Sequence, residues 1–502
     1  MRALYLLSIR HAVFFAHPLT EAQRYQEWAL AILRGEVGFR SPFDEAPAYP
    51  YFVAGLFALF GRAPISVAAV QAIIDAGSCA ALALLGRRLG GARTGWIAGA
   101  LAAIYGPLVS SSAELLPTAL SVFAVSAALL ATPAENATAR RWTLAGCAWA
   151  AALCVRSEIV LALPVVFLHA ALAGGRRMAA RAAIAPAAFL AASLLVNYAS
   201  SGYPVVLTTG GGVNLWIGNN PAADGVSPFI HGPMEAFAGQ VTQQARDSVQ
   251  ADQLFRAEAV RYLRDQPGKA ARLALRKFVW LWTDRELPNT SDIDWQNGQS
   301  WLFHPPFFPL HFGLLFPLAL AGALLLGRRW RSECLLAAPA AIALVTSVLF
   351  FTNARFRLPL VAAMVPLGAF AVDRLIQLLP RWREERRTLA LAGAGILAGL
   401  AACYSDFDGV RGYRIPQIDV NTAALERQAG NLDGAVIHLR LALDRDGSDA
   451  STWSQLAIAL EQSGQPGEAQ ATIDRAVLRL PDDQKLRRLA AALARQHGDR
   501  TH

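Results

Sequence analysis

Four carboxylates and four cations, set among long apolar runs, are the side chains of this sequence best equipped for chemistry: Glu21, Asp44, Glu45 and Glu114, with Arg156, Lys277, Arg355 and Arg357. In HPLTEAQRYQEWALAILRGE, Glu21, Tyr25 and Trp28 recur at helical spacing, so a short helix sets Glu21 and Tyr25 on one face. A polar helix directly after an apolar segment is commonly just interfacial. In SPFDEAPAYPYF, Asp44 and Glu45 stand beside prolines that stiffen the approach to a second apolar patch. Glu114 falls in YGPLVSSSAELLPT, a tight turn at a membrane boundary, where a carboxylate needs water, a cation or a partner. Two readings weigh evenly there: a functional acid, or a charge stabilised by the dipole of a helix starting near Leu115. Arg156 ends one apolar run, and Arg355 and Arg357 open another in TNARFRLPL. Lys277, one of only 3 lysines, lies in the amphipathic LRKFVWLW. Any one of these bases alone reads as a snorkelling side chain. The segment TTGGGVNLWIGNNPAADG lacks the strand–glycine–helix context of a nucleotide fingerprint. Its backbone N–H groups can bind a phosphate, but a plain turn is the favoured reading.

The elements that position these residues follow from composition. Of the 502 residues 54% are hydrophobic and 17% charged, with mean hydropathy +0.32, well short of the ions of a soluble domain. A disordered or nucleic-acid-binding chain is excluded. The net charge of +9 and pI near 9.6 come from 43 Arg and 3 Lys against 37 acids. Apolar runs long enough to span a bilayer, or nearly so, lie near 66–86, 93–111, 115–132, 142–155, 158–174, 181–199, 305–326, 333–351, 358–379 and 387–403. Arginine clusters occupy every second loop: Arg87, Arg88 and Arg93; Arg140 and Arg141; Arg176, Arg177 and Arg181; Arg328, Arg329 and Arg331; Arg381, Arg383, Arg386 and Arg387. By the positive-inside rule these loops are cytoplasmic. Residues 16–65, the turn at 111–115, the turn at Arg156, the segment 200–304, the turn 352–357 and everything after Tyr404 then face outward. Trp280, Trp282 and Trp301 mark that interface. All four acids and four cations thus meet at one membrane face, where few positive charges are expected. Residues 3–15 are apolar but interrupted by Arg10 and His11, too short for a span and without a signal cleavage site, and read as a truncated first helix.

Beyond residue 415 the charges return in near balance. Gly430, Gly464 and Gly498 recur every 34 residues, and Trp453, Leu456, Ala457, Leu460, Ala469, Ile473, Ala476 and Pro481 fit the tetratricopeptide pattern of paired helices. Such repeats usually form a peptide- or protein-binding groove, small here. The chain divides into a membrane domain, 1–410, and a repeat domain, 415–502. The five cysteines, Cys79, Cys147, Cys154, Cys334 and Cys403, have no paired spacing, so neither disulfides nor a zinc site is expected.

Taken in order, HPLTEAQRYQEWA, APAYPYF, YGPLVSSSAELLPT, GGGVNLWIGNNPAADG, LRKFVWLWTDRELPN and RFRLP resemble bacterial polyprenyl-phosphate-sugar-dependent glycosyltransferases. These are the protein mannosyltransferase and lipid A aminoarabinose transferase superfamily, of GT-C membrane fold, in a version with C-terminal tetratricopeptide repeats. The resemblance implies an all-α bundle of about 10–12 transmembrane helices in the bacterial inner membrane, with its site on the periplasmic side. It implies transfer of a hexose or pentose from a polyprenyl-phosphate donor to a protein, lipid or glycan acceptor, with inversion. Glu21 stands where the family usually has Asp and takes the role of catalytic base; Glu114 matches the second acid, as partner or metal ligand. Arg355 and Arg357 match the phosphate-binding positions best, with Arg156 and Lys277 behind them. Tyr25, Asp44 and Glu45 are further substrate-binding candidates. A divalent metal (Mg or Mn) on Glu21 and Glu114 is compatible, and no nucleotide cofactor is expected. The competing reading is a transporter or flippase of a lipid-linked or anionic substrate. It expects ionisable groups near the midplane and repeated halves, which this sequence lacks. Removal of 415–502 is expected to spare donor binding.

Overall fold

The computed structural model describes residues 1–36, 43–135, 137–290, 292–304 and 310–500. Residues 37–42 of the first outer loop and 305–309 of the span read at 305–326 lie outside the described residues, as do 501–502 of the repeat domain. The described chain is helical, with one isolated β-bridge. Two short helices, α1 (Arg2–Ile9) and α2 (Val13–Ala16), break apart where Arg10 and His11 interrupt the apolar run. They precede α3 (Thr20–Leu33) and α4 (Ala48–Phe60).

The bundle proper comprises α5 (Pro64–Gly90), α6 (Ala92–Ile104), α7 (Gly106–Ser111), α8 (Thr118–Ala131), α9 (Ala139–Val155), α10 (Leu163–Gly174) and α11 (Arg176–Ser201). All ten apolar runs are mainly helical where described. Among the described residues six helical stretches are long and apolar enough to cross a membrane, and three shorter apolar helices accompany them. Helix is the required form there, because hydrocarbon offers no hydrogen bonds to a free peptide group. The run at 93–111 is not one helix. Its backbone turns extended at Tyr105, ahead of Gly106-Pro107, and pairs with Leu310 through Gly106 N–H to Leu310 O, 2.7 Å, and Leu310 N–H to Ile104 O, 2.8 Å.

Between α11 and the second half of the bundle lie α12 (Gly211–Gly218), α13 (Pro233–Gln244), α14 (Ser248–Asp265), α15 (Pro267–Trp280) and α16 (Ile293–Gly298). The glycine-rich segment is therefore helical over Gly211–Gly218, with turns only at its two ends. Its small residues serve close packing: a Cβ on Gly218 would stand 1.7 Å from the Phe350 carbonyl oxygen. Then follow α17 (Phe312–Leu326), α18 (Ala337–Leu349), α19 (Ala354–Arg357), α20 (Val361–Leu378) and α21 (Arg386–Tyr404). Helix α20 is central, 78% of its apolar stretch being buried against 17% for α11, which keeps most of its surface outward. Helices α17 and α20 approach closely enough that a Cβ on Gly322 would lie 2.0 Å from Leu367 O, the small-residue contact expected where packing rather than hydrophobicity joins helices.

The alternating loops segregate to two ends. At one end Arg88 donates to Thr132 O (2.7 Å), Arg329 to Leu89 O (2.8 Å) and His169 meets Pro133 O (2.8 Å), while Arg93 pairs with Asp373. The acids and cations singled out from the sequence lie towards the other.

The C-terminal helices α22 (Pro416–Gln428), α23 (Leu432–Arg445), α24 (Ala450–Gln462), α25 (Pro466–Arg479) and α26 (Gln484–Arg500) stack as repeats. Gly430 and Gly464 take φ +80° and +77° at the inter-helix turns, a conformation costly for other residues. Trp453, Leu456, Ala457, Leu460, Ala469, Ile473 and Ala476 form the buried seam. The repeat is not detached from the bundle. Asn421 of α22 donates to Thr290 O (2.6 Å), and Glu426 accepts from the Trp295 indole (2.6 Å).

Candidate active site

A cavity of about 600 Å³ opens among the ends of these helices. Its walls take residues from the stretches 14–22, 64–68, 106–118, 284–290, 293–297 and 354–358, Glu21 and Arg357 not among them, with His311, Arg411 and Leu425 among the remainder. Segments scattered over the whole chain thus converge, including α22 of the repeat, which supplies Leu425. The loops that carry Glu114 and Arg355 are brought together, and Leu425 of the repeat region adds to the wall.

Arg355 lines the cavity together with Arg285 and Arg411. The loop before it is stitched in place: Thr352 N–H bonds Gly225 O (2.8 Å), Ala354 N–H bonds Leu287 O (2.9 Å), and Asn353 caps α19 by accepting from Phe356 N–H (3.0 Å). Arg355 lines the cavity and pairs with Glu21, whose same oxygen accepts from Asn289 Nδ2 at 3.3 Å. Asn289 in turn accepts from Asn353 at 2.9 Å, so cap, amide and acid form one chain. Arg355 Nε has no partner among the described residues. Burial pushes the Glu21 carboxyl up, but Arg355, with Arg24 and Arg156 behind it, outweighs that and holds it below its ordinary value. The residue before it, Thr20, takes φ +47°, a strained backbone for a β-branched side chain, braced by its hydroxyl 3.3 Å from that of Thr290.

Glu114 stands on the cavity wall in the turn between α7 and α8. It does not cap a helix, since α8 begins only at Thr118. Its backbone oxygen is held by Gln71 Nε2 at 2.7 Å. Burial pushes its carboxyl up to about 7; Arg355 pulls back, and the charge of Glu21 adds to the rise.

The remaining candidates separate by role. Tyr25 is buried and donates to Glu45, which also pairs with Arg24. Burial and the Glu21 charge push the Glu45 carboxyl up. Asp44 accepts from the Thr209 hydroxyl at 2.6 Å, pinning the first loop to the segment after α11. Arg156 pairs with Glu158 and lies 5.5 Å from the Phe356 ring centroid, behind Arg355. None of these four lines the cavity.

Two sequence expectations need correction. Lys277 is buried and bonded to Asn219 Oδ1 (3.1 Å) and Val348 O (3.2 Å), joining α15, α12 and α18. It is a structural lysine away from the cavity, and burial drives its ammonium down to about 7 despite Asp224. Arg357, two residues from Arg355, faces the other way. It donates to the carbonyls of Leu281, Thr283 and Arg285 and to Glu286 Oε2 (2.7 Å), with Phe312 4.2 Å beneath its guanidinium. Its two terminal nitrogens are engaged in this way and it does not line the cavity, so it is not placed to bind a phosphate there. The Glu21 oxygen is engaged by Arg355 and Asn289, and no group of three metal-ligating side chains converges among the described residues.

Sequence reasoning passed over Asp284, Glu286, Asn289 and Asp294, which all line the cavity. The signal for Asp284, Glu286 and Asn289 was the polar run TDRELPN directly after the aromatic belt, and Asp294 follows in SDIDWQNG.

Residues 44–199 match the family described as dolichyl-phosphate-mannose-protein mannosyltransferase, and residues 426–493 match the tetratricopeptide repeat. Together with the apolar helices these matches define the class: a multi-pass, all-helical membrane protein with a mannosyltransferase-family match in its first half and tetratricopeptide repeats at its C-terminal end. Among solved structures the chain is similar to ArnT from Cupriavidus metallidurans bound to undecaprenyl phosphate, with 13% identity, covering 93% of this chain and 79% of that one at a TM-score of 0.40. It is also similar to the archaeal oligosaccharyltransferase AglB from Archaeoglobus fulgidus, in complex with an inhibitory peptide and a dolichol-phosphate, with 16% identity. That match covers 90% of this chain and 58% of the AglB chain, at a TM-score of 0.41. No curated protein matches the sequence.

Proposed function

We propose that this chain transfers a sugar from a polyprenyl-phosphate donor to an acceptor hydroxyl, in the cavity between the bundle and α22. The observation that carries the reading is the grouping of a guanidinium with an unpartnered Nε, Arg355, and an acid titrating near neutrality, Glu114, on one cavity wall. A lipid phosphate leaves already negative and therefore needs a fixed cation rather than an acid. In a water-poor site one such donor stabilises the developing charge by several kcal/mol. Arg355 supplies it.

The acceptor hydroxyl needs a base matched to the working pH. Glu114, pushed up to about 7, is better matched than Glu21, held low by Arg355. In this assignment Glu114 takes the proton, while Glu21 and Asn289 position Arg355. A single displacement follows, with inversion at the anomeric carbon. Under the positive-inside rule the cavity and the repeats lie on the periplasmic face of the inner membrane and the arginine clusters inside.

The test is transfer of a radiolabelled sugar from polyprenyl-phosphate carriers by purified protein, with R355A and E114Q beside the wild type. Activity in the wild type, lost in both variants, is expected; full activity in either variant would remove that residue from the mechanism. A C-terminal tag should be inaccessible to cytoplasmic reagents, and cytoplasmic labelling would reverse the sidedness.

A further inference from the structure

We infer that Glu286 holds a hydroxyl of the ligand in this cavity, as a binding and specificity residue of the reaction proposed above, on which the inference rests. The two oxygens of its carboxylate are in unequal states. Oε2 accepts from Arg357 at 2.7 Å, and Arg357 is itself locked by three backbone carbonyls and the Phe312 ring. Oε1 is buried and has no partner among the described residues. A buried carboxylate oxygen left without a donor is costly, and native sites rarely keep one unless a water or ligand supplies the hydrogen.

Glu286 lines the cavity, and Arg357 does not. The clamp therefore fixes the acid's orientation while leaving one oxygen for whatever the cavity contains. What that oxygen needs is a donor, and a cation is not called for, because Arg357 already neutralises the group. The neighbouring walls carry Asp294 and the amide of Asn289, with Asp284 paired to Arg411 and Arg285 beside them, a mixed set of acceptors and donors suited to a ligand with several hydroxyls. A sugar ring or an alcoholic acceptor has this chemistry; the isoprenoid chain and the phosphate do not. Arg357, expected from its position to bind phosphate, acts instead through Glu286.

The experiment compares full-length wild type, E286Q and E286D in detergent, using undecaprenyl phosphate alone and undecaprenyl-phosphate-linked hexose as probes. E286D keeps the charge that neutralises Arg357 and withdraws the oxygen by one methylene, so it covers the case in which E286Q fails to fold. Loss of a hydrogen bond to a charged acceptor predicts affinity for the sugar-bearing lipid lowered roughly tenfold to a hundredfold. Affinity for undecaprenyl phosphate alone stays within about twofold. If sugar-lipid affinity is kept and the acceptor KM rises by that factor, the hydroxyl belongs to the acceptor and the role stands. Equal affinities and an equal acceptor KM in a folded variant overturn it. Wild-type transfer, measured in parallel, tests the underlying reading separately, because active wild type with indifferent variants sinks only Glu286.

Discussion

Replacing Glu114 by Gln removes a carboxyl whose pKa burial pushes from 4.5 to about 7, with Arg355 opposing the rise and Glu21 adding to it. Between those two values the folded chain holds a proton that the unfolded chain has released. Stability therefore falls as pH rises through this window, and the penalty is complete only above about 7. The displacement amounts to about 3 kcal/mol at pH 8 and less than about 1 kcal/mol at pH 5. Glutamine is uncharged at both, so E114Q escapes the penalty. Thermal unfolding of the detergent-solubilised protein, followed by tryptophan fluorescence at pH 5 and pH 8, reads the difference. The variant should match wild type closely at pH 5 and melt a few degrees higher at pH 8, on the order of the Tm change a few kcal/mol produces in a large chain. Sugar transfer should be lost in the same variant while donor binding persists, the pattern of a site that gives up stability for function. A Tm change of equal size at both pH values, or a less stable variant at pH 8, would refute the argument that a buried, strained ionisation sits at Glu114.

Other perturbations test other parts of the site. Glu21→Gln leaves Arg355 without its counter-ion and should weaken donor binding more than it slows the bound complex; a pure kcat loss would return the base to Glu21. Arg355→Ala should lower affinity for undecaprenyl phosphate at least tenfold, the size expected for a charged hydrogen bond of about 1.5–3 kcal/mol, measured by binding of the labelled lipid. Lys277→Met should retain transfer. The wild type binds fewer protons folded than unfolded between about 7 and 10.5, so its stability should rise with pH over that range, and the variant should lose this rise; loss of transfer instead would place Lys277 in the chemistry. Contrary to the expectation from sequence alone, deletion of 415–502 removes Leu425 from the cavity wall and the Glu426 partner of Trp295, so donor binding and thermal stability should both fall. A truncated chain as active and stable as the full one would make that wall dispensable.

Much of the bundle was legible in the residues. Apolar runs of span length must be helical in hydrocarbon, and the arginine clusters sort the loops into two sets without reference to any contact. The repeat was legible too, because Gly430, Gly464 and the aligned apolar positions recur with a period that generic amphipathic helices do not keep. Less visible were breaks inside a run. The turn at Tyr105 depends on a backbone pairing with Leu310, 205 residues away, though Gly106-Pro107 hinted at it. The glycines at 210–212 and 218 read as a turn because glycine is ambiguous: it permits unusual dihedrals, and it also permits contact. The helix Gly211–Gly218 uses the second property, against the carbonyl of Phe350.

The site itself divides along the same line. Which acids and cations share a face followed from their order along the chain, because crossing a membrane leaves only two ends on which a loop can lie. What each does on that face did not follow. Arg355 and Arg357 are the same residue type two positions apart, and composition treats them alike. Half a helical turn sends one to Glu21 and the cavity, and the other to three backbone carbonyls and Glu286. The pairing of Glu21 with Arg355 spans 334 residues, and the free energy of such a contact depends on burial and angle, which no local stretch encodes. Local free energies of transfer and backbone bonding decide where helices form and which ends they share. Long-range packing decides which charge is neutralised, which is left with an open valence, and so which residue can meet a substrate.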